Sequence, residues 1–129
     1  MKVEKFDDLN IWREAILLSE KVYKVTSKFP KNEQFCLINQ MRRSSISIPS
    51  NIAEGFERNG NKEFIQFLSI AKGSLGELRT QMIVSLKLRY LSQDEFNGLF
   101  NLSISIGKQI SGFIKYLKKS TFKGNKYRI

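Results

Sequence analysis

Phe96-Asn97-Gly98-Leu99-Phe100-Asn101-Leu102-Ser103-Ile104-Ser105-Ile106-Gly107-Lys108-Gln109-Ile110-Ser111-Gly112-Phe113-Ile114-Lys115-Tyr116-Leu117 is the stretch that decides the fold. Within it Phe96, Leu99, Ser103, Ile106, Ile110, Phe113 and Leu117 recur at alternating steps of three and four. That period places them on one stripe of an α-helix, and the mostly apolar stripe must be covered by other helices. Ser92-Gln93-Asp94-Glu95 precedes it and has the form of a capping box, which predicts the start of a last helix.

The same period extends upstream. Ile38, Met41, Ser45, Ile48, Ile52 and Phe56 form a second seam, which predicts a helix opening near Asn32 or Glu33. Pro49 lies inside this seam and lacks an amide donor, yet the seam keeps its phase across it. The expectation is therefore one continuous helix kinked near Pro49. Gly55 to Gly60 reads as the following turn. A third helix is expected from about Asn61 to Leu91, with Phe64, Phe67, Ala71, Leu75, Leu78, Met82 and Leu86 inward. Gly73 and Gly76 each cost about 1 kcal/mol against Ala in a helix interior, which points to a close approach of another backbone. A first helix should open at Asp7 or Asp8 and end at Lys28-Phe29-Pro30, with Leu9, Trp12, Ile16, Val22 and Tyr23 on its inner face. Four long helices joined by short turns must alternate in direction. The expected fold is all-α, an antiparallel up-down-up-down four-helix bundle over 1–119, followed by a basic C-terminal tail, 120–129.

Composition narrows the chemistry. The 129 residues hold 22 Lys and Arg against 12 Asp and Glu, a net charge of +10, with no His and a single Cys, Cys36. Zinc sites, His-containing di-iron sites, Ser-His-Asp triads and Cys-His pairs cannot be assembled from this inventory, nor can an intrachain disulfide. The glycines of Ala71-Lys72-Gly73-Ser74-Leu75-Gly76 fall mid-helix, where the amides are already engaged, so they are no phosphate cradle. Ser44, Ser45, Ser47 and Ser50 have no evident base and read as small packing residues. No catalytic residue, metal ligand or cofactor is expected. The lone Cys, an N-terminus without a signal-peptide pattern and the lack of a long apolar run lead us to expect a cytoplasmic chain with no membrane partner.

The excess charge lies late in the chain: residues 92–129 carry seven bases and two acids. Lys115, Lys118, Lys119, Lys123, Lys126 and Arg128 form a cationic strip interleaved with Phe122 and Tyr127, a composition suited to nucleic acid. The same lysines also suit the negative end of a helix dipole, so composition leaves both readings open.

The middle of the chain is more specific. Phe29-Pro30, Gln40-Met41-Arg42-Arg43, Ser47-Ile48-Pro49-Ser50-Asn51-Ile52-Ala53-Glu54-Gly55, Arg58, Phe67-Leu68-Ser69-Ile70-Ala71, Gly73-Ser74 and Glu77-Leu78-Arg79 follow in order. This string resembles the four-helix-bundle family of 23S rRNA intervening-sequence proteins, and the resemblance spans about residues 6–118. It implies a bacterial protein and a homopentamer, so the chain's first partner would be itself. The family is similar in fold to the accessory variability determinant of diversity-generating retroelements. That fold analogy implies RNA or RNA/DNA, and a reverse transcriptase, as further partners. The signature residues Gln40, Arg42, Arg43, Pro49, Asn51, Glu54, Gly55, Arg58, Gly73, Ser74 and Glu77 are expected to set helix packing and subunit geometry, the alternative being a ligand or nucleic-acid site made by the same residues. Arg42, Arg43, Arg58 and Arg79 are available, in the same subunit or the next, as partners of the polar positions Gln40, Asn51 and Glu54. Arg89 and Cys36 stand where the family usually has glycine, which marks the third helix's end as a local departure. Two functions follow: a non-enzymatic nucleic-acid-binding accessory module, or a scaffold ring whose charge serves solubility and steering. Apolar residues outside the seams, Ile11, Leu17, Leu18, Ile65, Ile70, Ile104 and Ile114, favour self-association.

Overall fold

The computed structural model describes residues 2–120 and 127–128. Its four α-helices are α1 (Asn10–Thr26), α2 (Asn39–Glu57), α3 (Asn61–Lys87) and α4 (Gln93–Lys119). Each packs on its chain neighbours and α1 closes on α4, the arrangement of an antiparallel up-down-up-down bundle. At 1.5 Å per residue, α3 and α4 are each about 40 Å long. Lys2–Val3 (β1) pairs antiparallel with Tyr127–Arg128 (β2), a two-residue ladder between the chain's ends that helical periodicity does not announce.

The α2 and α4 seams are buried as their spacing requires, with Met41, Ser45, Ile48, Ile52, Ser103, Ile106 and Ile110 fully enclosed; Phe96, at the start of α4, is half-exposed. The inner face of α1 is different from the expected one. Ile11, Ala15, Leu18, Ser19, Val22 and Thr26 are buried, whereas Trp12 and Ile16 are half-exposed and Tyr23 is exposed. Ile11 and Leu18, expected as surplus, thus belong to the core, while Leu17 and Ile70 remain exposed. The apolar residues of α1 cover roughly half of its circumference, wider than the buried stripe, so period alone does not choose which part of that arc faces the core.

The helix ends show which caps operate. The reciprocal capping box at α4 forms: Ser92 Oγ accepts from the Glu95 amide at 3.1 Å, and Glu95 Oε1 accepts from the Ser92 amide at 2.9 Å. The Lys28 ammonium 2.8 Å away, with the Ser92 amide, holds the Glu95 carboxyl below its usual range. Asp8 does not cap α1. Its carboxylate accepts from the Lys5 and Glu4 amides and closes the short 3-10 turn Phe6–Asp8 instead, which lowers its pKa. Helix α2 is entered through a 3-10 turn, Lys31–Glu33, and a π-helical turn, Gln34–Ile38. Gly55, read as part of a turn, lies inside α2 and is buried.

Helix α2 runs through Pro49 without a break. Proline offers no amide to the carbonyl four residues back, which belongs to Ser45, and both residues are buried. Ser19 Oγ, from α1, donates to that Ser45 carbonyl at 2.9 Å, and lies 3.1 Å from the Ala15 carbonyl of its own helix. The orphan acceptor created by one helix is satisfied by the other.

Helix α3 ends on a Schellman motif. Arg89 adopts φ 63°, the Tyr90 amide donates to the Ser85 carbonyl at 2.8 Å, and the Arg89 amide donates to Leu86 at 3.0 Å. Arg89 therefore holds a left-handed conformation that glycine adopts without a Cβ penalty.

Two outcomes follow for stability. Ser19→Ala should cost about 1–3 kcal/mol by leaving the Ser45 carbonyl buried and unpaired. In a Pro49→Ala background, where an amide reaches that carbonyl, the loss should fall below about 1 kcal/mol. Urea melts of the four proteins measure this, and equal losses in both backgrounds would refute the assignment. Arg89→Gly should raise stability by about 0.5–1 kcal/mol while Arg89→Ala does not, read in the same melts.

Candidate functional site

Most signature residues of α2 and α3 gather at two outer grooves and one tight contact, while Pro49 is buried in α2 and Gly73 is exposed on α3. The tight contact is at Gly55, where an added Cβ would lie 2.7 Å from Phe67 Cβ and 2.9 Å from Phe64 Cδ1. Its missing side chain lets α2 lie against the aromatic pair that opens α3. Phe64 in turn meets Phe56 and Phe113 edge-on or tilted, with centroids 6.0 and 5.3 Å away. Arg58, just past the end of α2, pairs with Glu54 at 3.0 Å and with Glu63 at 3.7 Å, and its guanidinium lies over Phe67. The α2–α3 turn is thus pinned by charge at the surface and by aromatic packing beneath it.

The first groove runs between α2 and α3 and is polar. Gln40, Arg43, Ser44, Ser47, Glu77 and Gln81 line about 430 Å³ of it. Ser44 Oγ lies 2.7 Å from both Gln81 Oε1 and the Gln40 carbonyl. Ser47 and Ser74 hydroxyls meet at 2.9 Å, and Asn51 Nδ2 donates to the Ser47 carbonyl at 2.8 Å. The serines therefore bind helical carbonyls, side-chain amides and one another. Among the described residues Arg43 and Glu77 make no ion pair, although they border the same groove.

The second groove lies between α1 and α2. Tyr23, Asn39, Arg42, Arg43, Ile46 and Ser47 line about 550 Å³. Arg42 is held there by neutral groups: Nε donates to Thr26 Oγ1 at 2.9 Å, Nη2 reaches the Tyr23 carbonyl at 3.3 Å, and the guanidinium carbon sits 4.6 Å from the Tyr23 ring centroid. Within the subunit Arg42 and Arg79 thus take other partners. Only the Glu54–Arg58 pair forms among the described residues; Asn51 binds Ser47, and Arg79 turns to α4, donating to Ser103 Oγ at 3.0 Å and the Ser103 carbonyl at 2.9 Å.

Gly73 and Gly76 do not meet another helix of the chain. Nothing lies within 4 Å of a Cβ built at either, and both are exposed on the outer side of α3. At Gly107 a Cβ would stand 2.6 Å from Arg79 Nη2, the far end of a flexible side chain, so this contact asks less of its glycine than Phe64 and Phe67 ask of Gly55. The sequence holds no local signal for it, because Arg79 lies 28 positions earlier on another helix.

Lys115, Lys118 and Lys119 are exposed on the last turns of α4. Lys123 and Lys126 lie outside the described residues, and the backbone of Arg128 is placed opposite Lys2 across the β1–β2 pair. Beside the α4 lysines, Leu9, Asn10, Ile11, Gln109, Gly112, Phe113 and Tyr116 border a mostly apolar cleft of about 350 Å³. At its rim the Glu14 carboxylate accepts from Asn10, Ser105 and Gln109, a network without a cation that ties α1 to α4. Among the described residues no three potential metal ligands gather, and no helix is long and apolar enough to cross a membrane.

A family profile described as 23S rRNA-intervening sequence protein matches residues 7–112. The chain belongs to this family. A crystal structure of a protein of unknown function from the S23 ribosomal protein family of Bacteroides thetaiotaomicron is similar to it, with a TM-score of 0.74 at 22% identity. The likeness covers 81% of this chain and 98% of that one, and at this identity it speaks for the fold alone. A search of curated proteins returns no match. Within this intervening-sequence protein the SIPSNIAEG segment, Ser47 to Gly55, carries both the proline with its cross-helix hydroxyl and the glycine of the α2–α3 contact.

The two kinds of signature glycine are separable by substitution. Gly55→Ala should destabilise the fold by about 1–3 kcal/mol through overpacking against Phe64 and Phe67. Gly73→Ala should stabilise the isolated subunit by up to about 1 kcal/mol through helix propensity alone. Thermal denaturation at equal concentration checks the pair, and a reversed order would contradict the packing described.

Proposed function

We propose that this intervening-sequence protein is a non-enzymatic, self-associating helical bundle that binds nucleic acid through basic surfaces, as an accessory factor of a ribonucleoprotein or retroelement. The observation that carries the nucleic-acid reading is the run of Lys115, Lys118 and Lys119 along the end of α4, each exposed and outside any ion pair among the described residues. They stand next to a tail that adds three more bases. Unmatched cations on a rigid helix release condensed counterions when they meet phosphates, and that entropy favours a polyanion over a single carboxylate. An α-helical surface of this kind needs no groove-reading element and fits a partner recognised by shape and charge.

Self-association has its own support. Ile70 at 51% exposure, Ile83 and Val84 stand on the outer side of α3, which also holds the open positions Gly73 and Gly76. A soluble subunit gains by covering such a face, and glycines without Cβ atoms let a second helix come close. Five copies is the number the family resemblance implies. A scaffold ring with no nucleic-acid role would use the same α3 face without the α4 lysines.

Titration of a labelled RNA duplex across a salt series tests the nucleic-acid reading. Affinity should fall steeply with salt, and K115Q/K118Q/K119Q should lower the slope by about 0.9 for each phosphate that is no longer neutralised. Absence of binding at low salt would leave only the scaffold. Sedimentation in moderate salt should give a species several times the 15.0 kDa of one chain, and a 15.0 kDa species would defeat the oligomeric part.

A further inference from the structure

The α1–α2 groove has a chemistry the α4 lysines lack. Its two guanidiniums, Arg42 and Arg43, are joined by an aromatic ring, an exposed aliphatic side chain, an amide and a hydroxyl, and no carboxylate lines it. Arg42 is fixed in place by the Thr26 hydroxyl, the Tyr23 carbonyl and the Tyr23 ring, all neutral, so its charge is oriented without being cancelled. Thr26 can hold it because it is buried and itself anchored to the Val22 carbonyl at 2.7 Å. Arg43, one position on, is exposed and takes part in no hydrogen bond or ion pair among the described residues. Tyr23 and Ile46 present flat and branched apolar surface, 43% and 42% exposed.

An isolated phosphate would need only the guanidiniums, and an acidic peptide would leave the stacked Tyr23–Arg42 pair without a purpose. A nucleotide uses all of it. Its phosphate meets Arg43, its base lies on a guanidinium–aromatic surface of the kind on which unpaired bases stack, and the exposed Asn39 amide offers a donor and an acceptor to its edge or sugar. A duplex hides its base faces and cannot use the platform, so the partner is single-stranded. We propose that the groove lined by Tyr23, Asn39, Arg42, Arg43, Ile46 and Ser47 binds an unpaired nucleotide of a single-stranded nucleic acid. The proposal rests on the nucleic-acid reading above, but it occupies a different place. Tyr23 lies towards the end of α1 that meets the start of α4, where Lys28 pairs with Glu95, whereas Lys115 to Lys119 lie at the opposite end of the bundle. A strand would cross the molecule between the two, and the groove would confer the preference for unpaired bases that a lysine strip lacks.

The test uses the full chain and three fluorescein-labelled probes: a 12-nucleotide RNA of mixed sequence without self-complementarity, the same sequence as DNA, and the RNA annealed to its complement. Anisotropy titrations should show tighter binding of both single strands than of the duplex. Tyr23→Ala should weaken the single strands fivefold or more and leave the duplex unchanged. Arg43→Gln should weaken them too and lower the salt slope by about 0.7, the value for one phosphate on a single strand. Ile46→Ala, which disturbs no hydrogen bond, should reproduce part of the Tyr23→Ala effect; circular dichroism confirms that each variant is folded. A preference for RNA over DNA would assign Asn39 to the 2′-hydroxyl, and equal binding would assign it to the base; both fit. If the three variants bind like the wild type while K115Q/K118Q/K119Q loses affinity, the groove is not the site and the broader function stands. If no probe binds at low salt, both fail. Dissociation of the assembly by Arg43→Gln with unchanged probe affinity would instead make the groove a contact between subunits and overturn the proposal.

Discussion

The amide that Pro49 does not have organises the first half of the bundle. An interior proline leaves one helical carbonyl without its donor, and in a buried helix that carbonyl must be paired or the fold loses free energy. Here the acceptor is Ser45 and the donor is the hydroxyl of Ser19 on α1. A hydrogen bond of fixed length between two helices sets their axial register, because sliding either helix by one turn removes it. The register so chosen brings Arg42, one turn before Ser45 on α2, beside Thr26 and Tyr23 on α1. The α1–α2 groove and the pairing of the Ser45 carbonyl thus belong to one and the same register.

Buried and half-buried polar side chains join the other helix pairs as well. Ser44 reaches Gln81 between α2 and α3, Arg79 reaches Ser103 between α3 and α4, and Glu14 gathers Ser105 and Gln109 from α4. Interdigitated apolar side chains already favour one offset between helices, and buried hydroxyls and amides, which accept few partners, sharpen that preference. The serines in the seams also remain small enough for the helices to approach. What reads in the sequence as interruption of an apolar seam is, in the folded chain, the means by which each interface is aligned.

Surface charge is arranged on a different principle. Arg58, Glu54 and Glu63 neutralise one another at the α2–α3 turn, and Lys28 and Glu95 do so at the α4 cap. Lys115, Lys118, Lys119 and Arg43 are in no ion pair among the described residues, and they stand at separate places on the outside of the bundle.

The number of helices, their order, the α4 capping box and the seams of α2 and α4 were legible in the sequence, because hydrogen bonding within a helix and the 3.6-residue period are local. The phase of α1 was not, since Ile11 and Leu18 compete with Trp12 and Tyr23 for the inward face and only the neighbouring helices decide between them. Nor was the purpose of each glycine. Gly55, Gly73 and Gly107 are alike in sequence, yet a Cβ would strike Phe67 at the first, nothing at the second and Arg79 at the third. The candidate site divides the same way. A motif marked Arg42 and Arg43 as belonging to a signature, and composition marked Lys115, Lys118 and Lys119 as cationic. That Arg42 stacks on Tyr23 rather than meeting Gln40 or Asn51 was settled by the α1–α2 register, since side chains 19 residues apart become neighbours only when two helices are held at one offset.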